Sequence, residues 1–169
     1  MALPYFRKFP TIQYNKKTIV DIFHRFRIRQ KLVDNSYVYY TYQVKDGESP
    51  ETIAHLYYGD ARLHWLILFA NNIIDPYFDW CLSYDNFNTL MVKLYGSIQA
   101  AKNLHHHYQD ADGDVVDKDT FDNLEFEGKR EVFVYDYWFD KNEEKRTIKI
   151  IDKAYAPQID RELSKDLSS

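Results

Sequence analysis

Two pairs of punctuating residues, Ser49-Pro50 and Gly59-Asp60, constrain this chain more than anything else in its sequence. A serine N-cap accepts a hydrogen bond from the first helical turn, proline is pre-set for the first helical position, and glycine ends a helix in the left-handed conformation. One short helix is predicted between them, with Ile53, Leu56 and Tyr57 on a common face. Asp60 can then cap a second helix running through Leu63, Leu66, Ile67 and Ala70 to Asn71-Asn72. Upstream, residues 36–45 (SYVYYTYQVK) are β-branched and aromatic and stop at Asp46-Gly47, which predicts a strand entering a turn. Downstream, Asp75-Pro76 breaks the chain, and residues 77–83 (YFDWCLS) are expected to be extended and to pair beside that first strand. The expected order over residues 36–83 is strand, helix, helix, strand.

The flanks read differently. Residues 1–17 contain two prolines and scattered aromatics, as in an extended arm, and residues 18–31 place Ile19, Ile22, Phe23 and Phe26 at helical spacing. Residues 84–101, with Phe87, Leu90, Met91, Leu94 and Tyr95 three and four apart, predict an amphipathic helix. Two antiparallel hairpins are expected after it, one from residues 104–108 and 114–121, the other from 131–139 and 146–151. A last helix is expected over residues 156–167. The class is α+β, divided as a basic arm with a short helix (1–35), the strand-helix module (36–83), and a region of helix, hairpins and C-terminal helix (84–169).

Charge is distributed unevenly along the 169 residues. Residues 1–33 carry Arg7, Lys8, Lys16, Lys17, Arg25, Arg27, Arg29 and Lys31 against Asp21 alone, whereas residues 110–127 carry eight acids against Lys118. Such segments suit either solvation or docking on oppositely charged protein partners. Nucleic acid is not the expected partner, because the chain as a whole is acidic and no nucleic-acid motif accompanies the basic arm. The aromatic share of 17% is high, and aromatic rings bury much area with few rotatable bonds, which suits contact surfaces as well as cores. Cys81 is the single cysteine, so an intrachain disulfide framework is excluded and a reducing compartment is expected. No apolar run has signal-peptide or membrane-spanning length, so neither export nor a membrane partner is expected.

Familiar chemistry is missing. The run Asp110-Ala-Asp-Gly-Asp114 suggests calcium, but an EF-hand beginning at Asp110 needs glycine and glutamate where Val115 and Phe121 stand. A hairpin tip with solvated acids is the better account. His105 and His107 could share one face of a strand, yet two imidazoles do not complete a metal site. No phosphate-binding loop, dinucleotide fingerprint, nucleophile elbow or zinc-protease helix occurs. The expectation is a protein without catalytic residues, cofactor, metal or small-molecule substrate. What does stand out is residues 63–70 (LHWLILFA), apolar on more than one helical face. Trp65 and Phe69, four residues apart, point away from Ile67 and need a second cover, either the following helix of the same chain or a partner protein.

Residues 42–54 (YQVKDGESPETIA), followed by Tyr58-Gly59 and Asn71, resemble a LysM module. That resemblance implies binding of N-acetylglucosamine-containing glycans such as peptidoglycan. It weakens where Trp65 and the segment Asp75-Pro76-Tyr-Phe-Asp-Trp80 replace the usual ending of the second helix. The longer set Asp21-Ile-Phe, Tyr57-Tyr-Gly, Trp65-Leu-Ile-Leu, Asn71 and Asp75 to Trp80, extending faintly to residues 146–151 (RTIKII), is similar to the baseplate wedge protein 53 family of T-even-like contractile-tailed phages. This second resemblance implies a structural virion protein assembled in the host cytoplasm. In it the LysM-like fold is reused for contacts with other wedge and hub proteins, in multiple copies per particle. The residues expected to make those contacts are Trp65, Phe69, Tyr77, Phe78 and Trp80 for apolar packing, and Arg25, Arg27 and Arg29 for polar docking.

Overall fold

The computed structural model describes residues 9–21, 38–123 and 128–166. It is α+β, as expected, and divides into two compact units, one formed by residues 1–80 together with 147–169 and the other by residues 81–146.

The first unit begins with a hairpin, β1 (Thr11–Tyr14) and β2 (Lys17–Val20), where an arm and the start of a helix were expected. Asn15 and Lys16 both take positive φ (49° and 62°), the conformation of a two-residue turn whose twist matches that of the strands it joins. The β-branched pair Ile12 and Ile19 sits directly across the strands. The rest of the expected helix lies outside the described residues.

Strand β3 (Tyr39–Gln43) follows, then the punctuated helices. Ser49 Oγ accepts the Thr52 amide at 3.2 Å, Pro50 opens α1 (Pro50–Tyr58), and Gly59 closes it at φ 79°. Ile53 and Ala54 are buried, whereas Leu56, expected to share the buried face, is exposed. Asp60 caps a single 3-10 turn (Ala61–Leu63) that feeds α2 (His64–Ala70).

The closing strand is not where it was expected. Residues 76–79 form a short helix, α3 (Pro76–Asp79), because Asp75 caps it through the Tyr77 amide at 3.0 Å and Pro76 is set for its first position. The antiparallel partner of β3 is instead β7 (Thr147–Ile151), paired from Tyr39↔Ile151 to Gln43↔Thr147. Strand, helix, helix and strand are all present, but residues 81–146 are inserted before the last strand. The C-terminal helix α8 (Ala156–Asp166) follows directly and buries Ala156 and Ile159 against Trp65, Leu66, Val38, Phe9 and Ile151.

The second unit holds α4 (Tyr84–Tyr95) and α5 (Ile98–Asn103), split at Gly96 (φ 83°) where one helix was expected. Ser97 recaps the chain through the Ala100 amide. A three-stranded antiparallel sheet has the order β5 (Val115–Val116), β4 (His105–Gln109), β6 (Arg130–Phe133), and a short helix α6 (Lys118–Asn123) occupies the second half of the expected second strand of the first hairpin. The second expected hairpin does not form. After Phe133 the aromatic run coils into α7 (Val134–Glu144), which puts Tyr135 and Phe139 on one face against Phe87, with ring centroids 5.4 and 5.8 Å away. Aromatic residues four apart, such as Tyr135 and Phe139, share a face on a strand as well as on a helix, and packing on Phe87, Met91 and Ala101 decides for helix. Asn142, itself buried, accepts the Leu82 amide at 2.7 Å and donates to the Leu82 carbonyl at 3.0 Å.

Candidate functional site

The aromatic tail of the helical module forms an exposed corner of the first unit. Asp75 and Asp79 hold it: Asp79 Oδ2 accepts the amides of Ile74 (3.2 Å) and Asp75 (3.0 Å), while the Asp75 carbonyl accepts those of Phe78 and Asp79. These bonds consume the polar groups of the turn and leave its apolar side chains outside. Ile74, Tyr77 and Phe78 are 92%, 89% and 76% exposed. Apolar groups this exposed, side by side on one tight turn, are a feature of interaction sites more than of ordinary surface. Trp80 ends the turn differently, half-buried, with its indole N–H donating to the Glu48 carbonyl at 2.9 Å, so it pins the corner to the loop preceding α1.

The other expected contact residues are elsewhere. Trp65 is 5% exposed and meets Phe69 edge-on, ring centroids 5.8 Å apart at 89°. Its second cover is its own chain, but from Phe9, Ala156 and Ile159 and not from the helix that follows it in sequence. Trp65 is therefore a core residue, and Phe69 packs half-buried beside it. Arg25, Arg27 and Arg29 lie outside the described residues. Sequence reasoning missed Ile74, whose signal was its place directly before Asp75-Pro76, and it missed the exposed apolar residues Ile12, Tyr14, Ile19 and Val20 of the β1–β2 hairpin.

The second unit contains a pocket of about 400 Å³ lined by His106, His107, Val132, Tyr137, Asp140 and Glu144 among others. A bulge in β4 between His105 and His107 brings His106 Nδ1 within 2.6 Å of His107 Nδ1. His106 stacks on Tyr137 with centroids 4.0 Å apart, and His105 pairs with Glu131 at 3.1 Å. Burial, then the neighbouring imidazoles and Arg130, hold His107 below the ordinary histidine range. Among the described residues no group of three or more His, Cys, Asp and Glu side chains is arranged to hold a metal ion. At the acidic tip, Asp110 spends its carboxylate on the amides of Asp112 (3.0 Å) and Asp114 (2.9 Å), so it builds the turn. Among the described residues no helix is long and apolar enough to cross a membrane.

The comparisons with known proteins bear on residues from both units. The family model described as base plate wedge protein 53 matches residues 5–117. A curated relative, "Baseplate wedge protein gp53" of Enterobacteria phage T4, is 27% identical over 110 residues, which cover 60% of this chain and 56% of the relative. The chain thus spans little more than half the length of that relative. Strand β7 and helix α8, which complete the core around Trp65, lie beyond the region that the family model matches.

Proposed function

The chain belongs to the baseplate wedge protein 53 family, and from that premise we propose that it is a structural subunit of a contractile phage tail baseplate, joining wedge proteins to each other and around the hub during tail assembly. The family match over residues 5–117 carries this reading. The fold is consistent with it: the capped helices pack beside the paired strands β3 and β7, and their aromatic corner is presented to solvent. We assign the apolar contact to Tyr77 and Phe78, with Ile74 beside them and Trp80 as the residue that positions the turn. Apolar anchors on a rigid turn lose little conformational freedom when a partner covers them. The structural role needs no catalytic group, cofactor, nucleic acid or membrane.

The test is co-expression of the chain with the other wedge and hub proteins of its tail, comparing wild type with a Tyr77→Asp, Phe78→Asp double variant. The wild type is expected to enter the assembly. The variant is expected to stay out of it while keeping its thermal unfolding transition. Saturable binding to insoluble peptidoglycan, with none to the tail proteins, would overturn the assembly reading and favour the glycan binding that the LysM resemblance implies.

A further inference from the structure

The two-stranded sheet β3–β7 has two outer edges, and the chain treats them differently. The Asp152 amide donates to the Val38 carbonyl at 2.7 Å, which fixes the phase of the ladder. Backbone groups of residues 38, 40 and 42 face β7, so those of 39, 41 and 43 face outward, as do those of 147, 149 and 151 on β7. The β7 edge is covered at Lys149 and at the Ile151 carbonyl. Asn71 bonds both the amide and the carbonyl of Lys149 at 2.8 Å, and the Tyr58 hydroxyl donates to the Ile151 carbonyl at 2.8 Å. On β3, no such cover of the outward amides and carbonyls of Thr41 and Gln43 occurs among the described residues, and both residues are exposed. The strand (YYTYQ) contains no charge and no proline, the usual protections of an open edge.

A second feature of the same unit has no strand partner outside itself among the described residues. Every strand residue of the β1–β2 hairpin is exposed, including Ile12 and Ile19, and an isolated two-stranded hairpin is at best marginally stable in water. The bond from the Asp21 amide to the Pro10 carbonyl sets the phase here too: residues 10, 12 and 14 bond β2, and Thr11 and Gln13 turn their backbone groups outward. Thr11 and Gln13 have the same two-residue spacing as Thr41 and Gln43. An antiparallel match puts Thr11 against Gln43, Gln13 against Thr41, Ile12 against Tyr42 and Tyr14 against Tyr40. All four pairs are uncharged, and aromatic residues facing β-branched or aromatic ones are favourable cross-strand neighbours.

We propose that the open edge of β3 accepts β1 of a second copy, so that the hairpin of one chain extends the sheet of the next. The contact is strand addition, in which backbone bonds supply affinity and alternate side chains supply register. Donor and acceptor surfaces differ, so the association is head-to-tail, and it closes into a ring or runs on according to the rotation between copies. This inference rests on the assembly reading above and names one of the contacts it requires.

The test uses the full chain. Thr41→Pro removes an outward amide that β7 does not use, which an edge strand tolerates, and Ile12→Asp spoils the donor strand. Sedimentation velocity is expected to show concentration-dependent association of wild type, weakened about tenfold or more in each variant, with thermal unfolding little changed. An equimolar mixture of the two variants is decisive. Thr41→Pro still offers a sound hairpin and Ile12→Asp a sound β3, so the mixture should recover a dimer of about wild-type affinity that each variant alone forms only weakly. Wild type that is monomeric at every concentration overturns the proposal, as does failure of the mixture to recover, which a symmetric β3-to-β3 contact would produce. A monomeric wild type that still enters the baseplate overturns this contact and leaves the assembly reading standing. Head-to-tail association without entry into the baseplate does the reverse.

Discussion

The carboxamide of Asn71 donates to the carbonyl of Lys149 and accepts from its amide, both at 2.8 Å, so one side chain stands where a neighbouring strand would lie along β7. The same nitrogen also donates to the Ile67 carbonyl at 2.8 Å, which ties the end of α2 to the strand that arrives from the far end of the chain. Asn71→Ala is expected to destabilise the first unit by about 1–2 kcal/mol, since water can replace part of what is lost at this exposed edge. Asn71→Asp keeps the acceptor and loses both donated bonds, facing its carboxylate toward two carbonyls, and should cost more than alanine. Urea unfolding of the three proteins checks the order wild type, Ala, Asp.

Trp65 gives a sharper effect. It fills the space between Leu66, Val38 and Ile159, so Trp65→Ala should leave a cavity and cost about 3–5 kcal/mol, enough to compromise folding of the unit. Phe69→Ala, at a half-buried position, should cost clearly less. Were Trp65 a surface contact, its alanine variant would unfold like wild type and fail only in assembly; circular dichroism melts of the two variants separate these outcomes.

Local rules made part of this structure readable. Ser49, Pro50, Gly59 and Asp60 act within four residues of themselves, so the first helix, the tight turn and the start of the second could be read directly from the sequence. The closing strand could not, because nothing near residues 147–151 announces that their partner is β3, more than a hundred residues earlier. Residues 77–83 made a credible substitute. Their first three fold instead as the end of a capped turn, which is why Tyr77 and Phe78 are exposed as contact candidates should be, while Trp65 is not. Residues 134–139 failed for a different reason: their aromatics satisfy strand and helix patterns equally, and packing on Phe87, Met91 and Ala101 from other helices decides between them.

Asn142 offers a test of the second unit. Its amide satisfies both backbone groups of Leu82 within a buried environment, and the buried Arg146 adds a bond from its guanidinium to the same carbonyl at 3.0 Å. Asn142→Leu keeps the approximate volume and removes both bonds. The Leu82 amide would be left without its partner, at a cost of about 2–3 kcal/mol. Hydrogen exchange should show faster exchange at Leu82 and along α7, with the amides of α1 and α2 unaffected.

The histidine pair should make the second unit sensitive to acid. Two imidazole nitrogens 2.6 Å apart can share one proton but cannot each carry their own without two N–H groups meeting head-on. His107 has its Nε2 sealed without a hydrogen-bond partner, which adds to the cost of charging the ring. The groups around it are His105 and His106 on its own strand, Arg130 on β6, and Asp140, Lys141 and Glu144 lining the pocket from α7. Because His107 titrates below the ordinary value of 6.5 in the folded chain, the unfolded chain binds more protons over the interval between the two values. Stability is then full above that ordinary value and falls as pH drops through the folded one. His107→Phe should flatten this dependence, and urea unfolding of both proteins from neutral to mildly acidic pH should show their difference shifting in the variant's favour as pH falls. An unchanged difference across that range would mean that the His106–His107 contact does not control the proton.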